Sequence, residues 1–351
     1  MTPAPLPHVT AKPKRFAKAA LITAVFAACT AVAAAGDAGS AADPWLRPSE
    51  VPAPADNRPS AARVELGKML FFDPRLSGSR AMSCATCHNP SFGWSDGLPR
   101  AVGHGHKELG RNSPTILNPA YQRLQMWDGR KRSLEDQALG PIADAGEMNL
   151  PLEQLVSRLS AIAGYAPHFE AAYPGEGVGT RTVAKAIASF ERSVVSTEAP
   201  FDRWRMGDDK AVSESAKRGF ALFTGKANCA ACHQGFNFSD NGFHNIGVRA
   251  LSAGEAAGRF AHLPLPSQKG AFKTPTLRDV TLTAPYMRNG IYRTLDEVVE
   301  HYDRGGDDKE SLSPDIKPLG LTAQEKRDLV ALMTALTGSP TLIALPALPA
   351  K

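Results

Sequence analysis

Two short segments, Ser83-Cys84-Ala85-Thr86-Cys87-His88 and Asn228-Cys229-Ala230-Ala231-Cys232-His233, each hold a pair of thiols and an imidazole directly after the second thiol. Those residue types in that order suit covalent haem attachment. The two thiols add to the two vinyl groups of a haem, and the adjacent histidine reaches the iron from one face. Other readings compete. Exported chains commonly use cysteines for disulfides, a Cys-x-x-Cys pair alone can be a redox dithiol, and two such pairs can form a zinc ribbon. Disulfide frameworks belong mainly to small domains, and this chain has 351 residues. A ribbon wants its halves about 15–20 residues apart, far closer than Cys87 and Cys229. A redox dithiol has no need of the histidine that both copies carry. The chain has 5 cysteines, and only Cys29 lies outside the two motifs. The reading is a di-haem protein: Cys84, Cys87, Cys229 and Cys232 hold two c-type haems, and His88 and His233 are the proximal iron ligands.

The chemistry-bearing motifs need a scaffold, and the start of the chain is not part of it. Lys12, Lys14, Arg15 and Lys18 precede the apolar run "AALITAVFAACTAVAAA", which ends in small residues near Ala35. That is the pattern of a cleaved export signal over residues 1–35, and it is short for a membrane anchor. Cys29 lies inside it; lipidation there is the minority reading, because Phe26 stands where a Leu-like residue is preferred. Without the leader the formal charge of +5 falls to about +1, so the basic balance belongs to targeting. No basic stripe points to nucleic acid, and the mature chain has no run apolar enough to span a membrane.

The 28 prolines and 30 glycines imply a loop-rich fold. "AARVELGKMLFFDPRLSG" predicts a helix stopped by Asp73-Pro74. Residues 89–150 read as loops wrapped over a haem. "LEQLVSRLSAI" sets Leu152, Leu155, Val156, Leu159 and Ile162 on one helical face, and "TVAKAIASFERSVV" does the same with Val183, Ile187, Phe190 and Val194. A polar stretch, residues 206–214, divides an N-terminal domain over 36–206 from a C-terminal domain over 207–351. "SAKRGFALFTGKANCAACH" then repeats the order helix, loop, Cys-x-x-Cys-His. Thr294 with Glu297 and Thr322 with Glu325 are capping boxes that start two more helices. No strand run is convincing. The fold class is mainly α, with two cytochrome c-like domains and long loops.

Three stretches, "LGKMLFFDPRLSGSRAMSCATCH", "GRNSPTILNPAYQRLQMWDGRKRSLEDQALGPIADAGEMN" and "FKTPTLRDVTLTAPYMRNGIYRTLDEVVEHYDRGG", together give most of the mature chain a resemblance. It resembles the bacterial di-haem cytochrome c peroxidase family, including its MauG-like members. The resemblance implies that the N-terminal haem activates hydrogen peroxide. Glu147 then matches the distal acid–base carboxylate, Gln137 a distal-pocket amide and Pro141 a pocket proline of MauG-like members. From residue type alone Glu147 is a surface carboxylate. His104 matches a histidine that blocks the N-terminal haem in reductively activated peroxidases, although a loop histidine is more often plain surface. His106 stands where an aromatic is common.

The resemblance also places Tyr302 as distal ligand of the C-terminal haem, where peroxidases carry Met; Leu295 and Val298 or Val299 put Tyr302 on an inward helical face. Spacing alone reads it as a core tyrosine, and His301 and Met287 are fallback ligands. A phenolate would lower the potential, where Met raises it. Trp127 matches a tryptophan between the haems that relays electrons. Asn112, with the carbonyls of Thr283 and Pro285, matches a calcium site of oxygen ligands. Ala227 replaces the surface tryptophan through which MauG reaches its protein substrate. The leading expectation is a periplasmic di-haem peroxidase fed by a small donor protein, a cytochrome c or a cupredoxin. The alternatives are a MauG-like oxidase of a protein or other substrate and a pure di-haem electron carrier. Family peroxidases are often homodimers.

Overall fold

Ser60 opens the first helix by accepting from the Arg63 N–H at 3.3 Å, and Asp73 closes it in an extended conformation ahead of Pro74, whose ring disfavours a helical residue before it. In a computed structural model, which describes residues 1, 4, 43–340 and 343–350, the chain is mainly α-helical. The leader and Cys29 lie outside the described residues. The α-helices run in order α1 (Ala61–Phe72), α2 (Cys84–Cys87), α3 (Leu134–Ala143), α4 (Leu152–Ser160), α5 (Ala166–Ala172), α6 (Thr180–Ser193), α7 (Pro200–Arg205), α8 (Glu214–Thr224), α9 (Ala253–Ala256), α10 (Leu295–Asp303) and α11 (Ala323–Ala335). Two strands that escape sequence reading, β1 (Phe243–His244) and β2 (Phe272–Lys273), pair antiparallel. At two residues each they are too short to show a period. No helix among the described residues is long and apolar enough to cross a membrane.

Two hydrophobic clusters form. In the first, α1 buries Leu66, Met69, Leu70 and Phe71 against Val183, Ile187 and Phe190 of α6, with Leu155 and Leu159 of α4 beneath. In the second, Phe223 of α8 meets Leu329, Leu332 and Met333 of α11. The same device brings each helix pair together. A Cβ on Gly67 would sit 1.9 Å from the Ala186 carbonyl oxygen, and one on Gly219 2.0 Å from that of Asp328. Backbone touches backbone at both crossings, and only glycine leaves the room. We expect Gly219→Ala to destabilise the haem-loaded protein by about 1–3 kcal/mol through overpacking. Gly140→Ala, where the nearest atom is Lys131 Cε at 3.4 Å, should not lower the thermal midpoint; equal melting of the two variants would refute this account.

Segments outside the helices also reach the cores. Trp45 packs on Phe238 (centroids 4.9 Å) and Phe220 (5.3 Å) in the second cluster, and Ile343 packs on the first. Residues 89–150 are not all loop. Ser133 Oγ accepts from the Asp136 N–H at 3.1 Å and starts α3. Pro141 lies inside it and masks the helical pattern; so near the C-terminal end it removes one backbone bond only, the partner of the Gln137 carbonyl. The capping boxes at Thr294 and Thr322 form as read, with Glu297 Oε2 and Glu325 Oε2 accepting from the cap N–H groups at 3.1 and 2.7 Å.

Candidate haem-binding and peroxide site

Each Cys-x-x-Cys-His motif folds as one tight turn. The first is α2, where Ser83 N–H donates to Thr86 Oγ1 at 3.0 Å. The second is a 3₁₀ turn over Cys229–Ala231. In each, the histidine N–H reaches back to the carbonyl of the first cysteine, at 3.0 Å for His88 and 2.8 Å for His233. Cys87 and His88 of the first motif and Cys229, Cys232 and His233 of the second line the same cavity. The backbone partner of each imidazole is repeated too. His88 Nδ1 donates to the Trp94 carbonyl at 3.3 Å and His233 Nδ1 to that of Phe238 at 2.8 Å. This leaves each Nε2 for a metal. Burial holds both imidazoles below the usual histidine range, hence neutral and able to ligate.

No disulfide joins Cys84, Cys87, Cys229 and Cys232. Burial pushes Cys87 and Cys232 up to about 11 and Cys229 to about 12. A redox dithiol needs the opposite, a lowered pKa. Both motifs open on one continuous cavity of about 590 Å³, largely apolar, into which Trp127, Glu147, Gln137 and Tyr302 also project. Donor set, orientation and cavity fit two c-type haems.

An internal repeat organises this cavity. Residues 111–143 and 272–304 align without a gap. Met126 and Met287 both take positive φ (73° and 70°), as do Asn118 and Asp279 (57° and 56°). Gly129 N–H and Gly290 N–H each donate to the methionine carbonyl at 3.2 Å. Bridges Gln125–Lys131 and Tyr286–Tyr292 follow, then the caps Ser133 and Thr294, then α3 and α10. Counted from those caps, Pro141 and Tyr302 hold the same position. One pocket thus presents a ring with no ligating atom where the other presents a phenol. The signal lies in the sequence as Pro-Thr, Met-x-x-Gly and Ser/Thr-Leu-acid recurring in order, beyond the repeat of the cysteine motifs.

The pockets differ in electrostatics. Glu147 is half-buried, and no hydrogen bond engages its carboxylate among the described residues. Burial raises its pKa, with Asp144 adding to the rise and Arg130 opposing it. Gln137 Nε2 lies 3.9 Å from Met126 Sδ. Tyr302 has its pKa raised by burial and then by Cys229 and Cys232. It stays a phenol unless a cation faces it. Trp127 donates from Nε1 to the Asn112 carbonyl at 2.9 Å, and its own carbonyl accepts from the Lys273 N–H at 2.8 Å, so it is tied to both repeats. Asn112 Nδ2 points at the Leu98 carbonyl (2.7 Å) and the Pro285 carbonyl (3.5 Å).

His104 is not among the residues that line the cavity. Its backbone N–H donates to the carbonyls of Gly146 and Glu147 at 3.0 and 2.8 Å and braces the Glu147 loop, while its ring Nδ1 is buried with no hydrogen-bond partner among the described residues. Other expectations need correction. His106 is exposed. His301 has both ring nitrogens engaged, Nδ1 by the Tyr292 hydroxyl and Nε2 by the Ile246 carbonyl, each at 2.9 Å; it is not free to ligate. Ala227 is 5% exposed and so is no surface position at all. The cavity also holds ionisable groups that sequence reading missed. Lys273 is buried, which lowers its pKa to about 8, and its Nζ donates to Gln122 Oε1 at 2.7 Å. Glu191 is 4% exposed.

Residues 61–210 match the family described as di-haem cytochrome c peroxidase, and residues 216–337 match cytochrome c. The methylamine utilization protein MauG of Methylorubrum extorquens is 48% identical over 324 residues, 92% of each chain. The chain belongs to the di-haem cytochrome c peroxidase family. Other members of this peroxidase family agree with that placement. The cytochrome c551 peroxidase of Pseudomonas aeruginosa is 36% identical over 300 residues, 83% of each chain. Among solved structures, a MauG-like protein associated with microbial copper homeostasis aligns with a TM-score of 0.76 at 31% identity, over 84% of this chain and 93% of that one. As a member of the di-haem peroxidase family, the chain is an oxidoreductase that implies two c-type haems, in a mainly α fold with a peroxidase-family region followed by a cytochrome c region.

Proposed function

We propose that this protein reduces hydrogen peroxide in the periplasm, at the pocket of His88, with electrons that enter through the pocket of His233 from a small cytochrome c or cupredoxin. The observation that carries this is the asymmetry of the repeat: Pro141 offers no ligand beside Glu147 and Gln137, and Tyr302 offers one in the second pocket. When bound, the haems supply the redox chemistry, peroxide cleavage in the first pocket and electron storage in the second. Cys84, Cys87 and His88 hold one haem, Cys229, Cys232, His233 and Tyr302 the other. Glu147 takes a proton from one peroxide oxygen and returns it to the other. Gln137 orients the peroxide through its amide. Trp127 relays electrons between the pockets. Cations lining the cavity, Arg111, Lys273 and Arg288, suit haem carboxylates.

Asn112 and the carbonyls of Thr283 and Pro285 hold a calcium ion in this reading; turning the Asn112 amide puts its oxygen towards the Pro285 carbonyl. Residues 1–35 direct export, 36–206 and 207–351 are the two domains, and a homodimer is the working assembly. Tyr302 also favours a second reading, oxidation of a protein side chain or other substrate as in MauG-like members, since a phenolate ligand lets oxidised iron persist. A pure electron carrier has no use for the free carboxyl of Glu147.

The test mixes diferric protein with one equivalent of peroxide and follows the visible and near-infrared spectrum. A rapid change without prior reduction is expected, because His104 stands off the cavity. Catalytic oxidation of a reduced small cytochrome should follow. No change until an electron is supplied would refute the open pocket; reaction with peroxide but not with any donor protein would favour the oxidase.

A further inference from the structure

We propose that Glu191 is a second acid of the peroxide pocket, which stores a proton and delivers it to the reduced oxygen. This deepens the peroxide-reducing reading and rests on it. Glu191 lies near the end of α6, is 4% exposed, and lines the same cavity as Glu147. Its Oε2 is buried with no hydrogen-bond partner among the described residues. A buried carboxyl left unpartnered opposes folding, so its presence in a reaction cavity needs a reason. Cys87 and His88 of the first haem motif line that same cavity.

The surroundings keep the acid protonated. Burial raises its pKa to about 8; Arg192 lowers it and Glu135 raises it. Arg192 gives little relief because its guanidinium is held by Glu135 of α3 at 2.8 Å. The other faces packed on α6 bring no charge to it: α1 turns Leu66 and Leu70 inward, and α4 turns Leu155 and Leu159 inward. Tyr121, in the turn Pro119–Tyr121, has its pKa set by burial and Arg47. From α2, Cys84 becomes a thioether once haem is attached and no longer titrates.

The stoichiometry asks for such a group. Peroxide, two electrons and two protons give two waters; the electrons come from the donor protein. Glu147 moves a proton from one peroxide oxygen to the other and adds none. In this step the O–H bond of Glu191 breaks and its proton joins the oxygen that has not yet left as water; solvent reprotonates the carboxylate, and a second proton delivered in the same way completes that water.

Glu191→Gln in the fully haem-loaded protein tests this, since the amide preserves shape. In an infrared pH titration, wild type should show the carbonyl band of a buried carboxylic acid that vanishes as pH rises past about 8, and the variant should lack it. Peroxide turnover below that pH should fall on the order of 10²-fold in kcat with KM for peroxide unchanged. The gap should close above it, and Glu191→Asp should restore part of the rate. Wild-type turnover with no such band, or a wild-type-to-variant ratio that is flat with pH, overturns the assignment alone. A wild-type protein that has the band but consumes no peroxide overturns the parent reading and this step with it.

Discussion

Glu147→Gln should abolish peroxide reactivity, with a loss of 10²–10⁴-fold in kcat/KM, the usual worth of a positioned acid–base group. The amide matches the carboxylate in shape but cannot accept and return a proton. Three features single out this carboxyl. It projects into the cavity that His88 lines, it has no competing hydrogen bond, and burial with Asp144 raises its pKa. The His104 N–H holds its backbone carbonyl in place. The raised pKa fixes the sign of the pH dependence: the base form is lost as pH falls through that elevated value, so turnover declines from the acid side earlier than an ordinary glutamate would allow. Stopped-flow mixing with peroxide measures it. A variant that reacts at the wild-type rate would remove Glu147 from the mechanism, and haem spectra before mixing show whether both haems are intact.

Tyr302→Met should raise the midpoint potential of the His233 haem by on the order of 0.1 V or more, within the roughly 0.8 V over which axial ligands tune haem. A thioether is neutral and soft, whereas a phenolate is anionic and favours ferric iron. Tyr302 projects into the second pocket where Cys229 and Cys232 face it, and its hydroxyl makes no other hydrogen bond among the described residues. Tyr302→Phe should leave the iron one ligand short, with a spectral shift confined to that haem. Potentiometric titration reads both variants. If Tyr302 were only a packed aromatic, Phe would leave potential and spectrum unchanged. The contrast with Pro141 sharpens the expectation, since the two halves of the repeat share their backbone and differ in the side chain that lines the cavity at this position.

The cysteine motifs, the helices and the capping boxes were legible because each is local. A Cys-x-x-Cys-His turn brings its thiols and imidazole together within one helical turn. Ser60 and Thr294 cap whatever apolar helix follows them. Gln137, Pro141 and Tyr302 were legible only through resemblance, because nothing in their own spacing distinguishes a pocket residue from a core one. His301 shows the limit of that route: its place beside Tyr302 suggests a ligand, but the fold engages both of its ring nitrogens with Tyr292 and Ile246.

What the sequence by itself determined is the pair of c-type haem motifs and the mainly α class, since these rest on contacts between residues close along the chain. Only the tertiary structure decided which groups share the cavity. Glu191 on α6, Lys273 on β2 and Glu147 beyond α3 come together because glycine crossings at Gly67 and Gly219 let helices approach backbone to backbone and close the walls around one space. Trp45 and Ile343 were likewise placed by packing, each on the cluster distant from it in sequence. Burial, which sets whether a carboxyl holds its proton, is a property of that closed space, and no local pattern in the sequence encodes it.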